Sequence, residues 1–101
     1  MVCETGSLDA MIAAAAGDDE ALFRELRASF LDSLARQIDL LGRARCDGNW
    51  QVAALRLRGL GASFQAWPLI ELAEEALGGA PGEPGVLRRL RALHGQLAGT
   101  E

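Results

Sequence analysis

The chain has 101 residues, enough for one domain with a hydrophobic core and too few for a multidomain enzyme. Ala and Leu supply 35 of these residues and Tyr is absent, so the composition predicts an all-α fold and excludes a β-sandwich. Fourteen acids outweigh ten bases, all of them Arg, and the formal net charge of −4 argues against nucleic acid as a partner.

The first two predicted helices are separated by a glycine. Ser7 is a candidate cap for a short helix from Leu8 to Ala16, and Gly17 ends it. We expect this helix to be a lid or an appendage. The acidic pair 18–19 can cap a second, long helix that extends to about Arg45. The apolar side chains on one arc of that helix are Leu22, Phe23, Leu26, Phe30, Leu34 and Leu41.

Three more helices are predicted after the turn signal at 47–49. The third helix extends from about Trp50 to Phe64. The fourth begins at Pro68, a residue suited to a first helical turn, and ends near Leu77. Residues 78–85 are rich in Gly and Pro and predict a loop. The last helix extends from Val86 to about Ala98, with Val86, Leu90, Leu93 and Leu97 facing inward.

These elements predict two parts of one small fold. Residues 18–101 contain four amphipathic helices with mostly short connections, the pattern of an antiparallel four-helix bundle. Residues 1–17 add the short N-terminal helix and its cap at one end. The expected fold is therefore an all-α, antiparallel four-helix bundle with an additional short N-terminal helix.

We expect no role for the cysteines in a disulfide or a metal site, and no membrane-spanning helix. Cys3 and Cys46 have no CxxC spacing and His94 is the only histidine, so we expect no metal and no cofactor. The longest uncharged run, 59–70, has 12 residues, whereas a membrane-spanning helix needs ~20 apolar residues. The N-terminal segment is acidic where a signal peptide would be basic, so the expected location is the cytoplasm.

The third predicted helix has two apolar faces. At ~100° per residue, one stripe faces the core and consists of Ala53, Leu57, Leu60 and Phe64. The roughly opposite face has small or apolar side chains with two arginines at its margins: Leu55, Gly59, Ala62 and Ala66, flanked by Arg56 and Arg58. Another protein could approach such a face closely, which suggests a docking surface. The alternative is purely structural, since single exposed leucines are ordinary and a helical Gly can reflect packing within the bundle.

The segments Ala-Ala-Leu-Arg-Leu-Arg-Gly (53–59), Leu-Gly-Ala-Ser-Phe (60–64) and Leu-Ile-Glu-Leu-Ala (69–73) resemble the histidine phosphotransfer (HPt) domains of bacterial phosphorelays. The signature of that family is His-x-Leu-Lys-Gly, and its Gly-Asp-Trp turn is similar to Gly-Asn-Trp at 48–50. The resemblance extends loosely from residue 18 to 97 and is sharpest between 53 and 77. It implies the same four-helix bundle, here of HPt type, and a response-regulator receiver domain or a sensor kinase as partner.

The departures from the HPt signature are as informative as the matches. Leu55 stands where the family has its phosphoryl-accepting His, and an alkyl side chain has no nucleophile with which to form a phosphoramidate. Arg58 matches the family's Lys, Gly59 matches its Gly, and Gln65 replaces a usual Gly. The resemblance therefore implies a signalling protein that is not an enzyme and that acts by binding, as a monomer or a weak homodimer.

Two alternatives remain open at this stage. An active phosphotransfer protein would need another acceptor, and His94, on the edge of the last helix's apolar face, is the only histidine present. We expect His94 to be a structural residue, because nothing around it resembles the phosphoacceptor motif. The second alternative is a helical bundle that self-associates through the exposed face around Leu55.

Overall fold

A computed structural model describes residues 4–99 of the protein. Within that range it contains five α-helices and no strand, which confirms the all-α class. The helices are α1 (Glu4–Ala16), α2 (Glu20–Arg43), α3 (Asp47–Ser63), α4 (Trp67–Leu77) and α5 (Pro84–Ala98). No helix within this range is both long enough and apolar enough to span a membrane.

The last four helices form a closed ring of contacts around one core. α2 packs on α3, α3 on α4, α4 on α5, and α5 returns to α2, while α1 lies against α2 and α5. The largest fully buried side chains come from all five helices and include Leu8, Ile12, Phe30, Leu34, Leu41, Trp50, Leu57, Leu69, Leu90 and Leu97. Each helix therefore has one face fixed against its neighbours and another left for solvent or a partner.

α1 begins earlier and is more deeply integrated than the sequence suggested. It starts at Glu4 rather than Leu8, so Ser7 lies inside the helix and is not its cap. Leu8 and Ile12 are fully buried in the common core, so the expectation of a lid or an appendage is wrong. Gly17 ends the helix, as predicted, with a left-handed φ of 67°.

An arginine of α2 also connects α1 to the end of α5. Arg27 Nε donates a hydrogen bond to Asp9 Oδ1 at 3.2 Å, and Arg27 Nη2 donates to the backbone carbonyl of Leu97. A positive charge beside the last turn of a helix also complements the helix dipole. This one side chain therefore links three helices.

The N-cap of α2 is as predicted, and part of its predicted apolar arc is buried. Asp19 Oδ1 accepts a hydrogen bond from the Leu22 backbone N–H at 3.0 Å. Phe30, Leu34 and Leu41 are buried, and so is Ile38, which the predicted arc omitted. Phe23 and Leu26 are partly buried and pack against the core, whereas Leu22 is more than a third exposed.

α3 begins one turn before the predicted start. Residues 47–49, predicted as a turn, form the first helical turn. The Trp50 side chain is buried, and its Nε1 donates a hydrogen bond of 2.7 Å to the backbone carbonyl of Ala76 in the last turn of α4. The residues of α3 that are buried are Trp50, Ala53, Ala54, Leu57 and Gly61. Leu60 and Phe64, predicted to be inside, are half-buried at the edge of the core.

α5 follows its predicted face, and it packs against α4. All four side chains predicted to face inward on α5 are buried, and α5 starts at Pro84, which shortens the predicted loop by two residues. Across the exposed junction of these helices, Arg89 makes two hydrogen bonds to the Glu75 carboxylate, one from Nη1 to Oε1 at 2.7 Å. These hydrogen bonds lower the pKa of Glu75 below its ordinary value.

The corner between α3 and α4 is a tight helix-ending turn. Gln65 has a left-handed φ of 53°, the Ala66 N–H donates to the Gly61 carbonyl at 2.8 Å, and the Gln65 N–H donates to the Ala62 carbonyl at 3.3 Å. These two bonds are the pair that defines a Schellman motif. The left-handed position of this motif is usually Gly, so Gln65 occupies it at a conformational cost.

We expect Gln65→Gly to raise the free energy of unfolding by about 0.5–1 kcal/mol, because Gly adopts a positive φ without a Cβ clash. Gln51→Gly is the matched control: Gln51 is exposed inside α3, where Gly lowers stability by a similar amount. Urea unfolding of the three proteins checks both. A loss of stability on Gln65→Gly contradicts the left-handed assignment.

Candidate docking surface

Three residues of α3 form an outward-facing row, which we call the outer strip: Leu55, Gly59 and Ala62. Leu55 is 46% exposed, and Gly59 and Ala62 are exposed beside it. Leu57, two residues away from Leu55, is fully buried. The predicted helical phase is therefore confirmed at these positions.

Ala66 does not belong to this face, contrary to the sequence prediction. α3 ends at Ser63, and the Schellman turn then directs the chain inward, so Ala66 is only 6% exposed and serves as the N-cap position of α4. The prediction continued the helical wheel past the end of the helix. Ala66 belongs to the hydrophobic core at the corner between α3 and α4.

Two glycines of α3 have opposite environments. A Cβ added to Gly61 would lie 2.9 Å from Ile70 Cγ1, 3.2 Å from the Ile70 backbone N and 3.3 Å from the Ala66 carbonyl oxygen, so the close approach of α4 requires Gly61. A Cβ added to Gly59 would meet nothing within 4 Å. Packing within the fold thus explains Gly61 and does not explain Gly59.

The two predicted flanking arginines point to opposite sides of α3. Arg56 lines a groove between α2 and α3 together with Leu40 and Val52. Arg58 lines an open concavity between α3 and α4 together with Trp67. Neither arginine has an ion-pair partner among residues 4–99. The outer strip is therefore bordered by free positive charge on both sides.

The charge around the outer strip contrasts with that of the whole chain. No Asp or Glu occurs between residues 48 and 70, although the chain carries a net charge of −4. A surface of this kind, with an apolar centre and an Arg-containing margin, is typical of transient protein interfaces. An acidic partner surface would complement it.

Sequence reasoning missed two exposed apolar side chains beside the strip. Val52 is 46% exposed and lies three residues before Leu55, so the helical wheel could have identified it. Trp67 is 65% exposed at the first position of α4. No periodicity identifies Trp67, because its exposure depends on the direction of the chain after Gln65.

The structure separates His94 from the outer strip. His94 is half-buried on α5 and lines a concavity with Asp39 of α2, whereas Leu55 lies on α3, which packs on α2 and α4. No three His, Cys, Asp or Glu side chains within the described range lie together as a possible metal site. The outer strip itself has no nucleophile and no acid–base group.

Comparison of the chain with protein-family models, with characterised proteins and with solved structures finds no match.

Gly59 and Gly61 of α3 should respond oppositely to the same substitution. We expect Gly59→Ala to raise the free energy of unfolding by about 0.5–1 kcal/mol, because Ala is the better helix former and the added methyl group has open space. Gly61→Ala should lower it by about 1–3 kcal/mol through overpacking against α4. Thermal and urea unfolding check the pair, and equal effects of the two substitutions would contradict the assigned environments.

Proposed function

We propose that the protein is an HPt-like signalling protein that has lost its phosphoacceptor and acts by binding a receiver domain or a sensor kinase. In this proposal the ring of α2 to α5 is an antiparallel four-helix bundle of HPt type, with α1 packed against α2 and α5. The partner docks on the outer strip, with Arg56 and Arg58 at the rim. The protein is then a binding module rather than an enzyme.

The observation that carries the proposal is the exposed position of Gly59 in the middle of a helical face. A glycine inside an exposed helical face costs stability, and nothing within 4 Å requires its small size. Gly95 on α5 is equally open, but Gly59 lies in a row with the exposed Leu55 and Ala62, and a partner that docks closely on this row explains a residue without a side chain at its centre. The same position matches the glycine of the HPt signature, so packing and sequence resemblance support one interpretation.

The chemistry of phosphotransfer is what this face lacks. Leu55 is exposed at the position that corresponds to the acceptor His, and its side chain has no nitrogen to attack phosphorus. Arg58 keeps the positive charge beside that position. Docking and phosphoryl transfer are thus separable properties, and the proposal assigns only docking to this chain.

We expect the protein to remain unlabelled when it is incubated with acetyl phosphate or with an autophosphorylated kinase and its receiver domain, because Leu55 supplies no acceptor. Acid-labile label on the protein, detected by mass spectrometry, would contradict the non-catalytic proposal. The position of that label would decide between His94 and another site. Leu55→His is the informative variant: a gain of acid-labile label there would mean that only the nucleophile is missing.

Binding should be most sensitive to bulk at Gly59. We expect Gly59→Arg to weaken binding of a receiver domain at least tenfold, about 1.4 kcal/mol, because a long charged side chain then occupies the closest point of approach. Gly95→Arg is the matched control, since Gly95 is also an exposed helical glycine with nothing within 4 Å, but lies on α5. Calorimetry with the receiver domains of the source organism measures both, with circular dichroism to confirm folding.

If Gly59→Arg and the wild type bind a receiver domain with equal affinity, the outer strip is not part of the interface.

Self-association is the competing function that the exposed Leu55, Val52 and Trp67 side chains favour. Size-exclusion chromatography at two concentrations distinguishes self-association from a monomeric docking module, because only the monomer keeps one elution volume.

A further inference from the structure

The groove between α2 and α3 has features that the outer strip lacks. Its lining includes Gln37, Leu40 and Arg43 from α2 and Asn49, Val52 and Arg56 from α3. Leu40 is 41% exposed and Val52 46% exposed, so two apolar side chains line this groove with much of their surface open to solvent. The groove is therefore a second apolar surface, adjacent to the strip and sharing the helix α3 with it.

A polar group in this groove is incompletely satisfied. Gln37 Oε1 is buried, and it has no hydrogen-bond partner within the part of the chain that the structure describes. Buried carbonyl oxygens are nearly always paired in folded proteins, and an unpaired one costs free energy. If the Gln37 side chain rotates so that this oxygen faces the groove, a ligand that supplies an N–H or O–H donor there removes that cost.

The charges at the groove are positive and partly free. Arg56 has no ion-pair partner among residues 4–99, and Arg43 has only an exposed pair with Asp39 at 3.5 Å. Asp47, in the first turn, is the only acidic residue of α3. The chain as a whole is acidic, so the positive charge at the groove is a local feature. It favours a partner whose carboxylates lie opposite Arg43 and Arg56.

The groove is about as long as two helical turns. Its lining extends from residue 37 to 44 along α2 and its C-cap, and from 49 to 56 on α3. Seven residues of helix extend about 10 Å, so the groove accommodates about two turns of a partner helix. Amphipathic helices that bind in grooves place their own apolar anchors three or four residues apart, so a helix of this length presents one or two anchors to the groove.

We propose that the α2–α3 groove binds an acidic amphipathic helix of the partner protein. One apolar side chain of that helix lies between Leu40 and Val52, a donor group pairs with Gln37, and carboxylates face Arg43 and Arg56. This inference rests on the proposed docking function and names the chemistry of the partner. It also extends the interface from α3 to α2.

The test uses two synthetic helical peptides and the full chain labelled with ¹⁵N. One peptide has Leu at two positions four residues apart with Glu on both sides, and the other has Lys in place of each Glu. We expect the Glu peptide to shift the NMR signals of Leu40, Val52 and the Gln37 side-chain amide, and to bind at least tenfold more tightly than the Lys peptide. That preference opposes the net charge of the chain, which by itself attracts the Lys peptide.

Val52→Asp should weaken binding of the Glu peptide at least tenfold, because it places a like charge at the apolar centre of the groove. Leu22→Asp is the matched control, since Leu22 is an exposed leucine of α2 that lies in its first turn, more than four helical turns from Leu40. It should leave the affinity unchanged. Equal binding of the two peptides, shifts confined to other surfaces, or no effect of Val52→Asp would each overturn the proposal.

The same spectra separate this inference from the proposed function and from self-association. If no receiver domain binds the protein but the Glu peptide shifts the groove signals, the groove proposal stands and the proposed function fails. If a receiver domain binds through the outer strip and the Glu peptide does not bind, only the groove proposal fails. Shifts of the groove signals on dilution of the free protein would mean that a second copy occupies the groove, which also overturns it.

Discussion

The close contact of α3 with α4 at Gly61 is the constraint on which the exposed surface depends. Because Gly61 has no Cβ, the backbone of Ile70 can approach α3, and the Schellman bonds of Gln65 and Ala66 then direct the chain into α4. At the other end of the same pair of helices, Trp50 is hydrogen-bonded to the Ala76 carbonyl. α3 is thus held against α4 at both ends, and its rotation about its own axis is fixed.

Once the rotation of α3 is fixed, the distribution of its side chains follows. The face with Leu57 and Gly61 is buried, and the face with Leu55 and Gly59 is left outside. Arg56 and Arg58 then border opposite sides, one at α2 and one at α4. A surface built in this way has apolar area, positive charge and room for a close approach, but no group that accepts a phosphoryl group. That combination suits recognition and is the basis of the proposed function.

Local patterns predicted the parts of this arrangement that depend on one helix at a time. The cap at Asp19, the inward face of α5 and the opposite orientations of Leu55 and Leu57 all follow from periodicity and capping. The early start of α3 was missed because Asp-Gly-Asn at 47–49 favours a turn when it is considered alone, whereas in the fold it forms the turn before Trp50, whose side chain is bonded to a carbonyl 26 residues away. Ala66 was misplaced because the left-handed residue that ends α3 is Gln rather than Gly. The α2–α3 groove depends on the packing of two helices, which no single-helix pattern contains.

The most direct test of the account is a titration of the ¹⁵N-labelled protein with each isolated receiver domain of the source organism, followed by NMR. The account predicts that a receiver domain that binds shifts the amide signals of Leu55, Gly59 and Ala62, while those of α1 and of the α5 residues around His94 stay in place. Shifts centred on α5, or on the acidic side of α4 around Glu75, would contradict it, because the face of α3 would then have no role in recognition.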